Sequence, residues 1–124
     1  MIDHIYHAGL IILGGIIGLT FSDIDLAPVF PLKHRSAWTH GPLIPMGLVY
    51  LLGMYPQLWW FNAGFLPTFA LHLAKDMFPR RWAGSAKINL HPVPLVLPAL
   101  FSFLFLAGTV AYSGWLVAGM LGYV

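Results

Sequence analysis

AGLIILGGIIGL, residues 8–19, is an unbroken run of apolar side chains and glycine. With its flanks it reaches from about Ile2 to Phe21, and a helix of roughly 20 such residues crosses the hydrocarbon layer of a bilayer, about 30 Å thick. The rest of the chain is of the same kind. Of its 124 residues 59% are hydrophobic and 8% charged, with nine Phe, five Trp and five Tyr. A small water-soluble domain leaves too much of its surface wet to bury that much apolar area. The expected fold is a single all-α domain, a polytopic transmembrane protein with about four membrane segments, and its first partner is the lipid bilayer.

Outward from the first segment, SDIDLAPVFPLKHRSAWTH (residues 22–40) has two prolines, two aspartates and two histidines, lacks a helical apolar period, and reads as a loop. A second segment covers about 42–60; Trp59, Trp60 and Phe61 at its end suit a membrane interface, and Pro56 and Asn62 mark a tight return. The third, about 63–78, is stopped by Pro79, Arg80 and Arg81. After it, RRWAGSAKINLH (80–91) forms a second polar loop, and a fourth segment covers about 92–112 with a short apolar tail, 113–124. A straight helix from Pro92 to Val124 would be roughly 50 Å long, so a break is expected near Ser113 and Gly114. Gly14, Gly15 and Gly18 permit close helix packing.

Four alternating segments put the two polar loops on one side, and Lys33, Arg35, Lys75, Arg80, Arg81 and Lys87, all the Lys and Arg of the chain, fall in or beside them. The positive-inside rule makes that side cytoplasmic, as in a prokaryotic inner or a thylakoid membrane, with both termini outside. A formal net charge of +2, so distributed, excludes a nucleic-acid partner. The opening MIDHIYHAGL lacks the basic region of a signal peptide, so the first segment is expected to stay as a membrane helix. With no cysteine, any metal must be held by His and carboxylate.

Three pairs supply such groups. Asp23 and Asp25 follow the first segment directly. His34 and His40 lie in the same loop with Arg35 and Thr39 between them, and imidazoles so placed converge readily on a cation such as zinc. His72 and Asp76, four residues apart, share a helix face with Cβ atoms about 5–6 Å apart. Each pair alone has an ordinary explanation: a solvated helix end, interfacial histidines, a His–Asp hydrogen bond. Together they hold three of the four acidic residues and three of the six histidines, all at one membrane face. A divalent cation held there, zinc by ligand type with manganese or magnesium also suited to carboxylates, would acidify water and polarise a phosphoryl or carbonyl oxygen. Asp25 is then ligand or general base, and Arg35 the anion contact. His4 and His7 belong to the opposite interface, since Asp23 lies roughly 24 Å further along a helix from His7; interfacial packing is their simpler role, pigment or haem ligation the other. His91, in the second loop, stays outside the set.

At SDIDL, HRSAWTHGPLIP and HLAKD the sequence resembles the YdjM-like membrane proteins, described as predicted membrane-bound metal-dependent hydrolases, and a related group of metal-binding membrane proteins. The shared order is D-x-D, then H-R followed by [ST]-H, then H-x-x-x-D, over Ser22 to Asp76. The resemblance implies a metal site of Asp23, Asp25, His34, His40, His72 and Asp76 and hydrolysis of a phosphoester or lipid-derived substrate. Ser22 and Leu26 stand where that family has proline and histidine, and His34 and His40 are one residue further apart. A rival reading is a non-catalytic accessory subunit of a larger photosynthetic or respiratory membrane complex, with a histidine holding a pigment; the small size and aromatic content suit it.

Overall fold

The computed structural model describes residues 1–26, 35–78 and 87–122. Among them the secondary structure is helical: α1 (Ile2–Thr20), a 3-10 turn (Phe21–Leu26), α2 (Ala37–His40), α3 (Leu43–Met54), α4 (Leu58–Met77) and α5 (Ala99–Met120). Two stretches, Ile2–Ile24 and Ala99–Met120, are long and apolar enough to cross a membrane, where four segments were expected. The expected second segment is divided: at Tyr55 the backbone leaves the helix (φ −132°, ψ 85°), because the residue before a proline disfavours the helical region. That leaves α3 with 12 residues, about 18 Å, too short to span. Trp59, Trp60 and Phe61 belong to the first turns of α4, and Asn62, expected in the return, is buried inside that helix. α4 has the length to cross but carries Asn62, His72, Lys75 and Asp76.

α5 also corrects the sequence reading. It begins at Ala99 rather than near Pro92 and continues through Ser113 and Gly114 to Met120 without a break. Starting seven residues later and ending at Met120 leaves it 22 residues, about 33 Å, which removes the length argument for a break. The preceding stretch, 87–98, folds back on itself and onto α2: Leu97 N–H donates to Ile88 O, Asn89 N–H to Arg35 O and Ala37 N–H to Asn89 O. Ser102 Oγ fastens it to α5, accepting from Ile88 N–H at 3.0 Å and donating to Leu97 O at 3.0 Å.

α1 lies along α4 with glycine at the contact. A Cβ at Gly14 would strike the Phe61 carbonyl, at Gly18 the Phe65 carbonyl, and at Gly64 the Ile11 carbonyl, so the two backbones meet directly, as in small-xxx-small packing. Gly15 has only ordinary contacts there. Phe61, Phe65 and Phe69 stack down α4 with centroids 5.8 and 5.5 Å apart, and Phe65, Leu66, Phe69, Leu73, Ile88 and Leu106 form the core.

The burial pattern is inverted relative to a water-soluble helix. In α5 the inward stripe is Ser102, Leu106, Thr109 and Ser113, whereas Leu100, Phe101, Leu104 and Trp115 face outward, each more than half exposed. The hydroxyls of Thr109 and Ser113 are satisfied by the carbonyls of Phe105 and Thr109. Only 17% of the apolar window of α1 and 22% of that of α5 is buried. A helix at the core of a soluble domain would hide such a surface.

Candidate metal centre

Asp23 is carried by the 3-10 turn that prolongs α1, His40 ends the one-turn helix α2, and His72 and Asp76 come from the last two turns of α4. α2 exists because Ser36 caps it: its Oγ accepts from Trp38 N–H at 3.3 Å, and Trp38 Nε1–H reaches the carbonyl of His91 at 2.8 Å. Immediately before the cap, Arg35 adopts the left-handed conformation (φ 57°), which costs a residue with a Cβ about 1 kcal/mol. Its backbone is held there by the Asn89 N–H, and its Nη2 comes to 3.9 Å from Asp76 Oδ1.

One ligand atom each from Asp23, His40 and His72 lies within 4.8 Å of the others, and Asp76 stands beside both rings. Asp76 Oδ2 is 3.3 Å from His40 Nε2 and 3.8 Å from His72 Nε2, while Asp23 Oδ1 is 3.5 Å from His72 Nε2. These separations bear on two chemistries. A charge-assisted N–H to carboxylate hydrogen bond is about 2.7–2.9 Å long. Two donors each about 2.0–2.1 Å from one tetrahedral zinc are about 3.3 Å apart. The observed 3.3–3.8 Å lies between a long hydrogen bond and the ligand separation of a zinc site.

The opposite nitrogens fix how the rings are turned. His72 Nδ1–H donates to the carbonyl of Leu19 at 2.8 Å, an oxygen that only accepts, and this turns Nε2 toward Asp23 and Asp76. His40 Nδ1 is 2.9 Å from Thr39 Oγ1, whose hydroxyl donates to the carbonyl of Ser36 at 3.2 Å. Thr39 thus holds the second ring from one side, and its Nε2 faces Asp76. Both rings are held through Nδ1 with Nε2 turned to the carboxylates, an orientation that metal sites also use. Asp23, His40 and His72, with Asp76 beside them, are a group of nitrogen and oxygen donors that could hold a metal ion.

Of the six ligands expected, the fold brings together Asp23, His40, His72 and Asp76. His34 lies outside the described residues, as do Lys33, Arg80 and Arg81, and Asp25 is described in its backbone alone, within the same 3-10 turn. His7 is remote in kind as well as place, stacked on Trp60 at 4.4 Å, a packing contact. The sequence gives no side-chain signal for the Leu19 carbonyl, which depends on how α1 registers on α4. Thr39 was visible as a neighbour of His40 but not as its orienting group. Its role is testable: Thr39→Val keeps the shape and removes the hydroxyl, and zinc affinity measured by chelator competition is expected to fall about 10–100-fold. Unchanged affinity would remove His40 from the ligand set.

No protein-family model, no curated protein and no solved structure matches the chain.

Proposed function

We propose that this chain is an integral membrane protein that holds a divalent cation, zinc by preference, on Asp23, His40, His72 and Asp76, and acts as a metal-dependent hydrolase on a phosphoester or lipid-derived substrate. The observation that carries the reading is the pair of imidazole Nε2 atoms turned on the same carboxylate oxygen of Asp76, at 3.3 and 3.8 Å. Two imidazoles and two carboxylates brought together from three elements are a donor set that suits a dication. The ordered D-x-D, H-R…T-H and H-x-x-x-D motifs, with their resemblance to the YdjM-like proteins, support the same reading. Membrane insertion is supported by the outward apolar faces of α1 and α5, and a cytoplasmic cluster by Arg35 and Lys75 beside it.

A bound dication would supply Lewis acidity and lower the pKa of water at the site. The chain's own groups divide the remaining work. With Asp23 among the ligands, Asp25 on the same 3-10 turn is the candidate to take the proton of an attacking water and return it to the leaving oxygen as the water–phosphorus bond forms and the ester bond breaks. Arg35, beside Asp76 and partly exposed, offers a fixed cation to the phosphoryl oxygens.

The test is phosphate release from phosphate esters in detergent micelles by protein extracted from alkali-washed membranes. Turnover is expected to stop with a zinc chelator and return with zinc. Zinc-loaded protein inert toward water-soluble and lipid esters alike would sink the hydrolase and leave the accessory-subunit reading in front.

A further inference from the structure

The cluster borders a cavity of about 600 Å³ where the end of α1 meets the last turns of α4. Its lining is of two kinds. Leu19, Leu71 and Phe78 are large and exposed, while buried His72 and half-exposed Asp23 belong to the candidate centre. Leu71 and Lys75 lie one turn apart on a face of α4 and Phe78 follows just past its end, so the Lys75 ammonium lines the cavity with two apolar side chains.

We propose that this groove binds an anionic amphiphile, a phosphate monoester of a long-chain alcohol or lipid, with its phosphate at Lys75 beside Asp23 and His72 and its chain along Leu19, Leu71 and Phe78. The inference rests on the metal-centre reading and adds the substrate class. Charge complementarity carries it. The carboxylates of Asp23 and Asp76 face the imidazoles of the cluster and Arg35, whereas Lys75, exposed on the groove, makes no ion pair among the described residues. Its charge is available to a ligand, and an ammonium on a flexible stem is a common phosphate contact. A small soluble phosphoester would leave Leu71 and Phe78 in water, whereas each methylene laid against them strengthens binding about fourfold.

Calorimetry at a fixed concentration of maltoside micelles tests the proposal with dodecyl phosphate and inorganic phosphate as probes, the micelle itself being the chain-only control. Dodecyl phosphate is expected to bind at least about 100-fold more tightly than inorganic phosphate, given the gain per methylene. Lys75→Gln should weaken it about tenfold, the effect of one charge-assisted contact. Leu71→Asn should weaken dodecyl phosphate and leave inorganic phosphate unchanged, and Lys87→Gln, an exposed cation not lining the groove, should change neither. Equal affinity for the two probes, or indifference to Lys75→Gln, overturns the groove. Zinc content of the same samples reports separately: zinc-loaded protein with indifferent affinity removes the groove alone, and a wild-type chain that takes up no zinc removes both.

Discussion

His72→Ala is expected to abolish stoichiometric zinc binding while leaving the helical circular-dichroism spectrum in place. His72 Nε2 faces both carboxylates, 3.5 Å from Asp23 and 3.8 Å from Asp76, so its removal deletes the group that links the α1 end of the cluster to the α4 side. Loss of an orienting partner alone weakens metal sites 10–100-fold, and loss of a ligand should exceed about 100-fold. The same substitution removes the hydrogen bond to the Leu19 carbonyl, worth about 1 kcal/mol. That is small beside the α1–α4 interface, so the variant should remain folded. Asp76→Asn separates charge from shape: it keeps the packing, removes one anion from between two imidazoles, and should also release zinc. Because the metal binds unprotonated imidazole, acidification must drive it off in the wild type, with protons taken up by the freed ligands. Stoichiometric zinc retained in both variants would show that the cation sits elsewhere.

The parts of this molecule legible in its sequence are those set by long apolar runs and by local spacing. α1 follows from its uninterrupted run, and the shared face of His72 and Asp76 from an interval of four. Tyr55 shows where such reading stops: the residues on both sides are apolar, so hydropathy alone runs straight through, and the effect of Pro56 on its neighbour ends α3 instead. The start of α5 was misplaced for a related reason, since Pro92–Pro98 is apolar but lies in a folded-back stretch held to Ile88 and Ser102. Asp23, His40 and the α4 pair do meet, but the four alternating segments from which that meeting was expected reduce to two stretches long enough to cross. How the His72 ring is turned was not foreseeable, as it depends on a backbone carbonyl in another helix.

Replacing Gly64 by leucine should be the most destabilising single change on the helix surfaces and should also empty the metal site. A Cβ at Gly64 meets the Ile11 carbonyl and comes to 2.9 Å from the Gly15 nitrogen. Both are backbone atoms within α1 and have no rotamer through which to yield, so α1 and α4 must part. Forcing extra volume into close packing costs 1–3 kcal/mol where side chains adjust, and against backbone the loss should reach about 3 kcal/mol. The site is coupled to this contact because Asp23 and the Leu19 carbonyl ride on the α1 side whereas His72 and Asp76 ride on α4. Thermal unfolding in detergent and zinc per chain should therefore fall together, and Gly14→Leu, against the carbonyl of Phe61 and the Phe65 nitrogen at 3.0 Å, should behave alike. Gly9 and Gly108 supply the contrast, since a Cβ there meets nothing within 4 Å, and alanine at either should be neutral or stabilising by roughly 0.5–1 kcal/mol. A Gly64→Leu protein that melts normally but lacks zinc would uncouple the site from the interface. One that also keeps its zinc would contradict the packing of α1 on α4, and with it the geometry that brings Asp23 to His72.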